Sequence, residues 1–329
     1  MKKLVLLLVI YPLAALLSLR IGAVLMGLPT IAAYFQEAHP VLVVATLAAG
    51  FAVTSYLLAT FTRDYSWVDR LWSTAPVLFA WVYAIRSGFA PAVLVATLLV
   101  TVWGARLTYN FARRGGYTTM EDYRWPVLRG RIGNEFLWQL FSLAFISIYQ
   151  ISLFVLFTLP VYRLASLSAA ASPVAAVLFT VLFLAFLAYE TIADQQQYVF
   201  QNLKHGMARS EQVPSWFGSS PEEASAFLSA DIDRGFLTQG LFRYSRHPNY
   251  FGEIAVWWTL FLFAATAAGS LLDWSGVGVV LLTLLFFGST AFTESISASR
   301  YPAYREYQAR TSAIVPWMPA EPAAQQNEA

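Results

Sequence analysis

Long apolar runs recur along the whole chain and alternate with short polar segments. A run of roughly 20 apolar residues can cross the hydrocarbon core of a membrane as a helix, because a helix satisfies its own backbone hydrogen bonds. The pattern predicts an all-α, polytopic integral membrane bundle of about eight (seven or eight) transmembrane helices, of which the third is short. The runs are approximately 4–25, 41–61, 71–85, 90–109, 136–159, 173–193, 251–268 and 276–292.

The pattern also predicts three parts along the chain. Residues 1–60 form the N-terminal spans, residues 61–318 form one membrane domain, and residues 319–329 form a polar tail that we expect to be disordered. The first run follows two lysines, as in a signal peptide. Its length, its internal Pro12 and the lack of a small-residue cleavage site favour a retained helix.

The composition agrees with a membrane protein and excludes several other classes. Hydrophobic residues make up 58% of the chain and charged residues only 12%. A net charge of +2 gives no field that would attract nucleic acid. With no cysteine and three scattered histidines, the sequence predicts neither disulfides nor a metal site.

The basic residues lie almost entirely on one side of the predicted bundle. When alternate loops are assigned to opposite sides, eighteen of the twenty-one Lys and Arg fall on the side of the two termini. Positively charged short loops stay in the cytoplasm, so both termini are predicted to be cytoplasmic. On that side a soluble cofactor can meet a substrate dissolved in the lipid bilayer.

A first polar cluster, residues 63–72, alternates charged and aromatic residues between two spans. Within it, Asp69 and Tyr65 are candidate proton donors, since an acid near a membrane helix is costly without a role. An interfacial belt of aromatic side chains at headgroup level explains the same pattern. Both interpretations stay open on this segment alone.

A second polar cluster follows the fourth predicted span, at residues 103–125. Its guanidinium groups suit a phosphate, because arginine binds phosphate oxygens bidentately. Contacts with anionic lipid headgroups explain the neighbouring arginines at 129 and 131 at least as well. The candidates for cofactor binding or proton donation here are Arg106, Asn110, Tyr123 and Arg124.

A third cluster closes the sixth predicted span, where Glu190 and Asp194 lie four residues apart. That spacing puts both carboxylates on one helical face, where like charges repel each other unless a donor or cation joins them. Glu190 follows a long apolar stretch, which favours a protein or ligand partner. The polar residues 195–239 beyond it are predicted to form a cytoplasmic loop that covers a site.

The fourth cluster, residues 240–253, is the most informative. It crowds two arginines, a histidine, an asparagine, two tyrosines and a glutamate into a short segment just before a span. Pro248 predicts a turn that leads into the helix. From there, Asn249, Glu253 and Trp257 follow one another on a single helical face. Burying Glu253 is expensive without a partner, so the row favours a functional site.

The fourth cluster reads Gly-Leu-Phe-Arg-Tyr-Ser-Arg-His-Pro-Asn-Tyr-Phe-Gly-Glu and resembles the signature of the membrane steroid 5α-reductase and sterol reductase superfamily. The chain as a whole is similar to the bacterial DUF1295 branch of that superfamily, over roughly residues 60–318. The other matching segments, in the same order, are 66–72, 103–108, 121–125, 190–194 and 304–317.

The resemblance implies an all-helical enzyme of the bacterial inner membrane that holds NADPH in a cytoplasm-facing cavity. It implies reduction of a carbon–carbon double bond in a hydrophobic small molecule, such as a steroid- or isoprenoid-like enone. Gln201 matches a phosphate-binding arginine of that family, which leaves NADH open beside NADPH. The positions that it implies for cofactor contact are Glu190, Asp194, Arg243, Arg246, His247, Asn249, Trp257, Arg300, Tyr304 and Tyr307.

We therefore hypothesise a reductase in which an acid donates a proton to the substrate carbonyl while a hydride is delivered. The candidate donors are Asp69, Glu253, Tyr65, Tyr123 and Tyr250. An S-adenosylmethionine-dependent enzyme similar to isoprenylcysteine carboxyl methyltransferases shares the Arg-His-Pro turn and is the alternative enzyme. A lipid-binding bundle without catalysis is the third hypothesis, and it leaves the crowded polar segment unexplained.

Overall fold

The computed structural model describes residues 2–167, 171–207 and 220–320. Over these ranges the chain is all-helical and has no β-strand, as the apolar runs predict. The helices are α1 (Lys2–Leu25), α2 (Ile31–Glu37), α3 (Pro40–Thr62), α4 (Ala75–Arg86), α5 (Pro91–Arg113), α6 (Arg124–Ile132), α7 (Glu135–Ser166), α8 (Pro173–Lys204), α9 (Pro221–Phe227), α10 (Ser229–Arg234), α11 (Pro248–Ala268), α12 (Val277–Arg300) and α13 (Tyr304–Arg310).

Within the described ranges, seven helices are long and apolar enough to cross a membrane: α1, α3, α5, α7, α8, α11 and α12. The third predicted run forms α4, which has only 12 residues and is preceded by short 3₁₀ turns. At 1.5 Å per residue a helix of that length falls short of the roughly 30 Å hydrocarbon core. The prediction of seven or eight spans is confirmed, and the chain has the architecture of a multi-pass membrane protein.

The chain divides into two compact units. The first unit contains Met1–Val181 and Trp257–Leu282, and the second contains Leu182–Val256 and Thr283–Ala329. The predicted boundaries at residues 60 and 318 stay predictions. Of the predicted disordered tail, residues 321–329 lie outside the described part of the chain.

The first unit is held together by close helix packing around aromatic side chains. Trp103 and Trp257 meet edge to face, with ring centroids 4.9 Å apart, and Phe157 packs on Trp257 at 4.3 Å. Gly278 lets α12 approach α7 closely, since a Cβ there would lie 2.0 Å from the backbone carbon of Leu156. Apolar side chains on α1 stay exposed, which suits a helix surrounded by lipid.

The second unit has an apolar core built on the last turns of α8. Val199 and Phe200 are fully buried and pack with Leu228 and Phe242. The sequence predicts that a loop begins at residue 195, and this prediction is wrong, because α8 continues to Lys204. Burial of these apolar side chains stabilises the extra turns, although the segment is polar by composition.

Candidate functional site

The predicted turn into α11 is present and is held by the C-terminal segment. A 3₁₀ turn at Gly240–Arg243 leads to α11, which begins at Pro248 as expected. The backbone amides of Arg246 and His247 donate to the carbonyls of Ser312 at 2.8 Å and Ala313 at 3.0 Å. Residues 312–313 therefore lie alongside the Arg-His-Pro turn and fix its backbone.

Glu294 on α12 is the centre of a buried polar network in the second unit. Its carboxylate receives two hydrogen bonds from Arg246, at 2.6 and 2.9 Å, and one from the Gln308 amide at 2.7 Å. His247 Nε2 lies 3.0 Å from the same carboxylate. The remaining Arg246 nitrogen donates to the carbonyls of Gln308 and Thr311.

Arg246 is predicted to contact a cofactor, and in the structure its guanidinium is bonded to Glu294 and to two backbone carbonyls. The bidentate pair with Glu294 and the two carbonyl contacts engage its Nε and both terminal nitrogens. Charge-assisted bonds of this kind are strong in a buried setting. Arg246 therefore acts on the site by holding the turn in place.

The predicted carboxylates and amide come together between α8 and α11. Glu190, Asp194 and Glu253 are only 3–5% exposed, and the Asn249 amide donates to Asp194 at 3.2 Å. Gly252 faces α8 so closely that a Cβ would lie 2.6 Å from the Cβ of Glu190. The two helices thus join Asn249 to Asp194, and the buried Glu190 and Glu253 lie one helical turn away along α8 and α11.

Gln196 links this polar region to the preceding turn. Its side-chain oxygen accepts a hydrogen bond from the amide of Leu241 at 2.9 Å. Gly240 makes the contact feasible, because its φ of +64° suits glycine and a Cβ would meet the Gln196 side chain at 2.6 Å. Asp194 and Arg243 each lie two residues from this bond, so the polar region and the turn are neighbours.

Tyr250 stands beside the network with its hydroxyl available. Its ring stacks on His247 at 5.0 Å with planes 20° apart, and it contacts Phe286 at 4.8 Å. The hydroxyl makes no hydrogen bond to any residue in the described part of the chain. Ring packing therefore positions this phenol and leaves its hydroxyl available.

The other predicted positions of the second unit lie near the chain end. Tyr304 is buried, and Tyr307 donates from its hydroxyl to the carbonyl of Phe242. Burial raises the pKa of Tyr307 above its ordinary value. Arg300 is exposed and lies over the ring of Tyr301 at 5.4 Å.

The first unit contains a second buried polar cluster, centred on Arg70. This guanidinium is fully buried and pairs with Asp64 at 2.8 Å, which also pairs with Lys3 at 2.5 Å. Arg70 further donates to the carbonyls of Gly116 at 3.0 Å and Met120 at 3.1 Å. The predicted clusters at 63–72 and 103–125 are therefore joined in space.

Tyr65 and Asp69 lie in this joined cluster. Tyr65 is buried, its amide donates to Glu121 at 2.8 Å, and its hydroxyl accepts from Gln139 at 3.0 Å. The half-buried Asp69 accepts a hydrogen bond from the indole of Trp125 at 2.9 Å. Both candidates are thus held in fixed positions, whereas a mobile interfacial belt would leave them solvated.

The remaining predicted residues of the first unit differ in their surroundings. Asn110 is buried and accepts two hydrogen bonds from Arg113, at 2.9 and 2.7 Å. Arg124 pairs with Asp122 at 2.8 Å. Three others complete the set: Arg106 is half-buried, Tyr123 is 57% exposed, and Trp257 is fully buried in the aromatic core.

Comparison with known proteins places the chain in a family. Residues 55–311 match the model of a family described as a protein of unknown function, DUF1295. The chain belongs to the DUF1295 family. It is also 34% identical over 269 residues to an uncharacterised protein of the fission yeast Schizosaccharomyces pombe, covering 79% of this chain and 74% of the relative. No solved structure matches the chain.

Two further side chains contribute to this DUF1295 site: Glu294, which belongs to the C-terminal segment that resembles the cofactor-contacting segment of the reductases, and Gln196, which the sequence did not single out. Glu294 carries a detectable signal, since it is an acid near the end of a long apolar run, as Glu190 is. Gln196 carries none, because a glutamine beyond an apolar run is ordinary in a loop. No group of three metal-ligating side chains occurs among the described residues.

Asp69 gives the DUF1295 chain a predicted pH dependence. Burial, reinforced by the nearby Asp122 carboxylate, raises the pKa of Asp69 to about 6. In the unfolded state the pKa of Asp69 is about 3.9. Between about pH 4 and pH 6 the folded state therefore holds a proton that the unfolded state has released. The contribution of Asp69 to stability falls as pH rises through this range.

Asp69→Asn should remove this dependence while keeping an oxygen for Trp125. We compare the melting temperature of the variant minus that of wild type at two pH values. This difference should be about 2–4 °C larger at pH 8 than at pH 5. The exposed Asp233→Asn is the control and should show no such change. An Asp69→Asn difference that is independent of pH would contradict the assignment.

Proposed function

We propose that this protein is a membrane-embedded, NAD(P)H-dependent reductase of a carbon–carbon double bond in a lipid enone. One observation carries the proposal: Glu190, Asp194, Asn249 and Glu253 gather in a buried region beside a turn locked by Glu294. Buried acids on membrane helices are costly, and they mark functional sites. The sequence resemblance to steroid 5α-reductases and sterol reductases gives this region its chemistry.

The residues present suit a dinucleotide. Ribose hydroxyls and a carboxamide are donors that buried carboxylates can accept, and the Asn249 amide can both donate and accept. The polyanionic end of a dinucleotide needs cations. Arg243 is one such cation. It lies two residues after Leu241, whose amide bonds the side chain of Gln196, and Gln196 lies two residues after Asp194.

When bound, the cofactor would supply a hydride to the β carbon of the enone and leave oxidised. The chain would supply the proton for the carbonyl oxygen, and the resulting enol would return to a saturated ketone. Tyr250 is our choice for this proton, because its hydroxyl is available beside the network, and Glu253, in the same unit, is the other candidate. The apolar helices would exclude water from the reaction.

We place this site on the cytoplasmic side of a membrane, which is the side that the basic residues indicate when eight spans are counted. A bacterial inner membrane agrees with the resemblance to bacterial chains. The substrate we propose is a steroid- or isoprenoid-like molecule that reaches the site from the bilayer.

The test is NADPH and NADH oxidation by the protein in nanodiscs with a panel of hydrophobic enones. Asn249→Ala should lower the rate with the best enone by about 10–100-fold, because the amide orients the Asp194 carboxylate. The control is Asn202→Ala, on the same helix as Asp194 but outside the region, and it should retain wild-type rates.

Equal losses in both variants would contradict the role of Asn249. A melting-temperature increase with S-adenosylmethionine, and none with either dinucleotide, would replace the reductase by the methyltransferase alternative.

A further inference from the structure

A small cleft in the second unit lies between residues 234–243 and the chain end. Its volume is about 180 Å³. Pockets for drug-sized ligands have roughly 300–1,000 Å³, so this cleft is too small for a steroid-sized lipid. It has the size of a headgroup or of one end of a larger anion.

The lining of the cleft is basic. Among the described residues it includes the guanidinium groups of Arg234, Arg243 and Arg310, against one carboxylate, that of Glu306. Glu306 lies 3.9 Å from Arg310, and its side chain is 74% exposed. An exposed pair at that distance neutralises the arginine only weakly.

Arg243 is the lining residue best placed to bind an anion. It is exposed, and it makes no hydrogen bond or ion pair to any residue that the structure describes. The turn that carries it is fixed before Arg243 by the bond of Leu241 to Gln196 and that of Tyr307 to Phe242, and after it by the Trp317 amide, which donates to the carbonyl of Tyr244 at 2.9 Å. The fixed backbone limits the positions that this unpartnered guanidinium can reach, and the guanidinium itself is available to a ligand.

The other two arginines are held at the cleft by the fold. Buried Asp231 accepts hydrogen bonds from Arg234 at 2.5 Å and from the amide and hydroxyl of Thr238 at 2.6 and 2.8 Å. Arg310 donates to the carbonyl of Ala320 at 3.1 Å, and the Ala320 amide donates back to Arg310 at 2.8 Å. These contacts hold the two arginines in the wall of the cleft.

We propose that this cleft binds a phosphate group, with Arg243 as its principal ligand and Arg310 and Arg234 beside it. Guanidinium forks match phosphate oxygens, and the cleft admits one or two phosphoryl groups. The phosphate can belong to a soluble nucleotide or to a phospholipid headgroup. For a nucleotide phosphate the proposal rests on the proposed function, which assigns Arg243 to the polyanionic end of the dinucleotide, but phosphate binding itself is measured without hydride transfer, so the two can fail separately.

The first experiment measures binding of inorganic pyrophosphate to the full chain in nanodiscs of neutral phosphatidylcholine. We expect Arg243→Gln to weaken binding by about 10–100-fold, since one charge-assisted pair is lost. Arg243→Lys should restore part of the affinity, because it keeps the charge and loses the fork. The control is Arg305→Gln, an exposed arginine on α13 that does not line the cleft.

The source of the phosphate is decided by two further arms, NADP⁺ in neutral nanodiscs and the protein in nanodiscs that contain phosphatidic acid. Competition of pyrophosphate by NADP⁺ supports a nucleotide, and competition by phosphatidic acid supports a headgroup. Two outcomes would overturn the proposal. One is an equal loss of pyrophosphate affinity in Arg243→Gln and Arg305→Gln, and the other is that wild type binds none of the three probes.

Discussion

Glu294→Gln should destabilise the protein by about 3–5 kcal/mol, since removing one partner of a buried ion pair leaves the other charge uncompensated. The carboxylate receives hydrogen bonds from Arg246 and Gln308 and lies beside His247. Its replacement leaves Arg246 buried with a neutral neighbour. The measurement is thermal or denaturant unfolding in detergent.

The contrast variant is Glu306→Gln, which removes an acid from an exposed pair and should cost less than about 1 kcal/mol. A double variant, Arg246→Met with Glu294→Leu, removes both charges together and should be more stable than Glu294→Gln. If Glu294→Gln matches Glu306→Gln, the network does not hold the turn.

Gly252→Ala should lower dinucleotide affinity by at least about tenfold, because overpacking moves backbone by a few tenths of an ångström or more. The added Cβ would lie 2.6 Å from the Cβ of Glu190 and 3.0 Å from its Cα. The atoms in the way belong to the root of a side chain, so α8 and α11 must separate. Separation breaks the alignment of Asn249 with Asp194.

The control for this variant is Gly288→Ala on α12, where a Cβ meets nothing within 4 Å. That change should be neutral or stabilise slightly, since alanine favours helix by up to about 1 kcal/mol over glycine. Binding is measured by titration in nanodiscs. Wild-type affinity in Gly252→Ala would show that the approach of α8 and α11 does not shape the site.

The spans were predictable from sequence because length and hydropathy decide membrane insertion locally. Residues 195–204 were mispredicted as loop, because the burial of Val199 and Phe200 is a tertiary effect that the polar composition hides. The short helix α2 (Ile31–Glu37) was also absent from the predicted elements. Its start is fixed by Thr30, whose hydroxyl accepts from the Ala33 amide at 3.0 Å.

Part of the candidate site was predictable as well. The four-residue spacing of Glu190 and Asp194 indicated a helical face that needs hydrogen-bond donors. Both carboxylates are buried, and the Asn249 amide donates to Asp194 at 3.2 Å. The partner of Arg246 was not predictable, because Glu294 lies 48 residues away and nothing in either segment specifies the pairing. For the same reason, a sequence cannot distinguish an arginine that binds ligand from one that holds a turn.

Direct titration of NADPH and NADH into the purified protein in nanodiscs tests the central claim, that the region between α8 and α11 holds a nicotinamide dinucleotide. We predict saturable binding of at least one dinucleotide by wild type and by Asn202→Ala, weakened at least about tenfold in Asn249→Ala. Absence of binding of both dinucleotides to the folded wild-type protein would contradict the account.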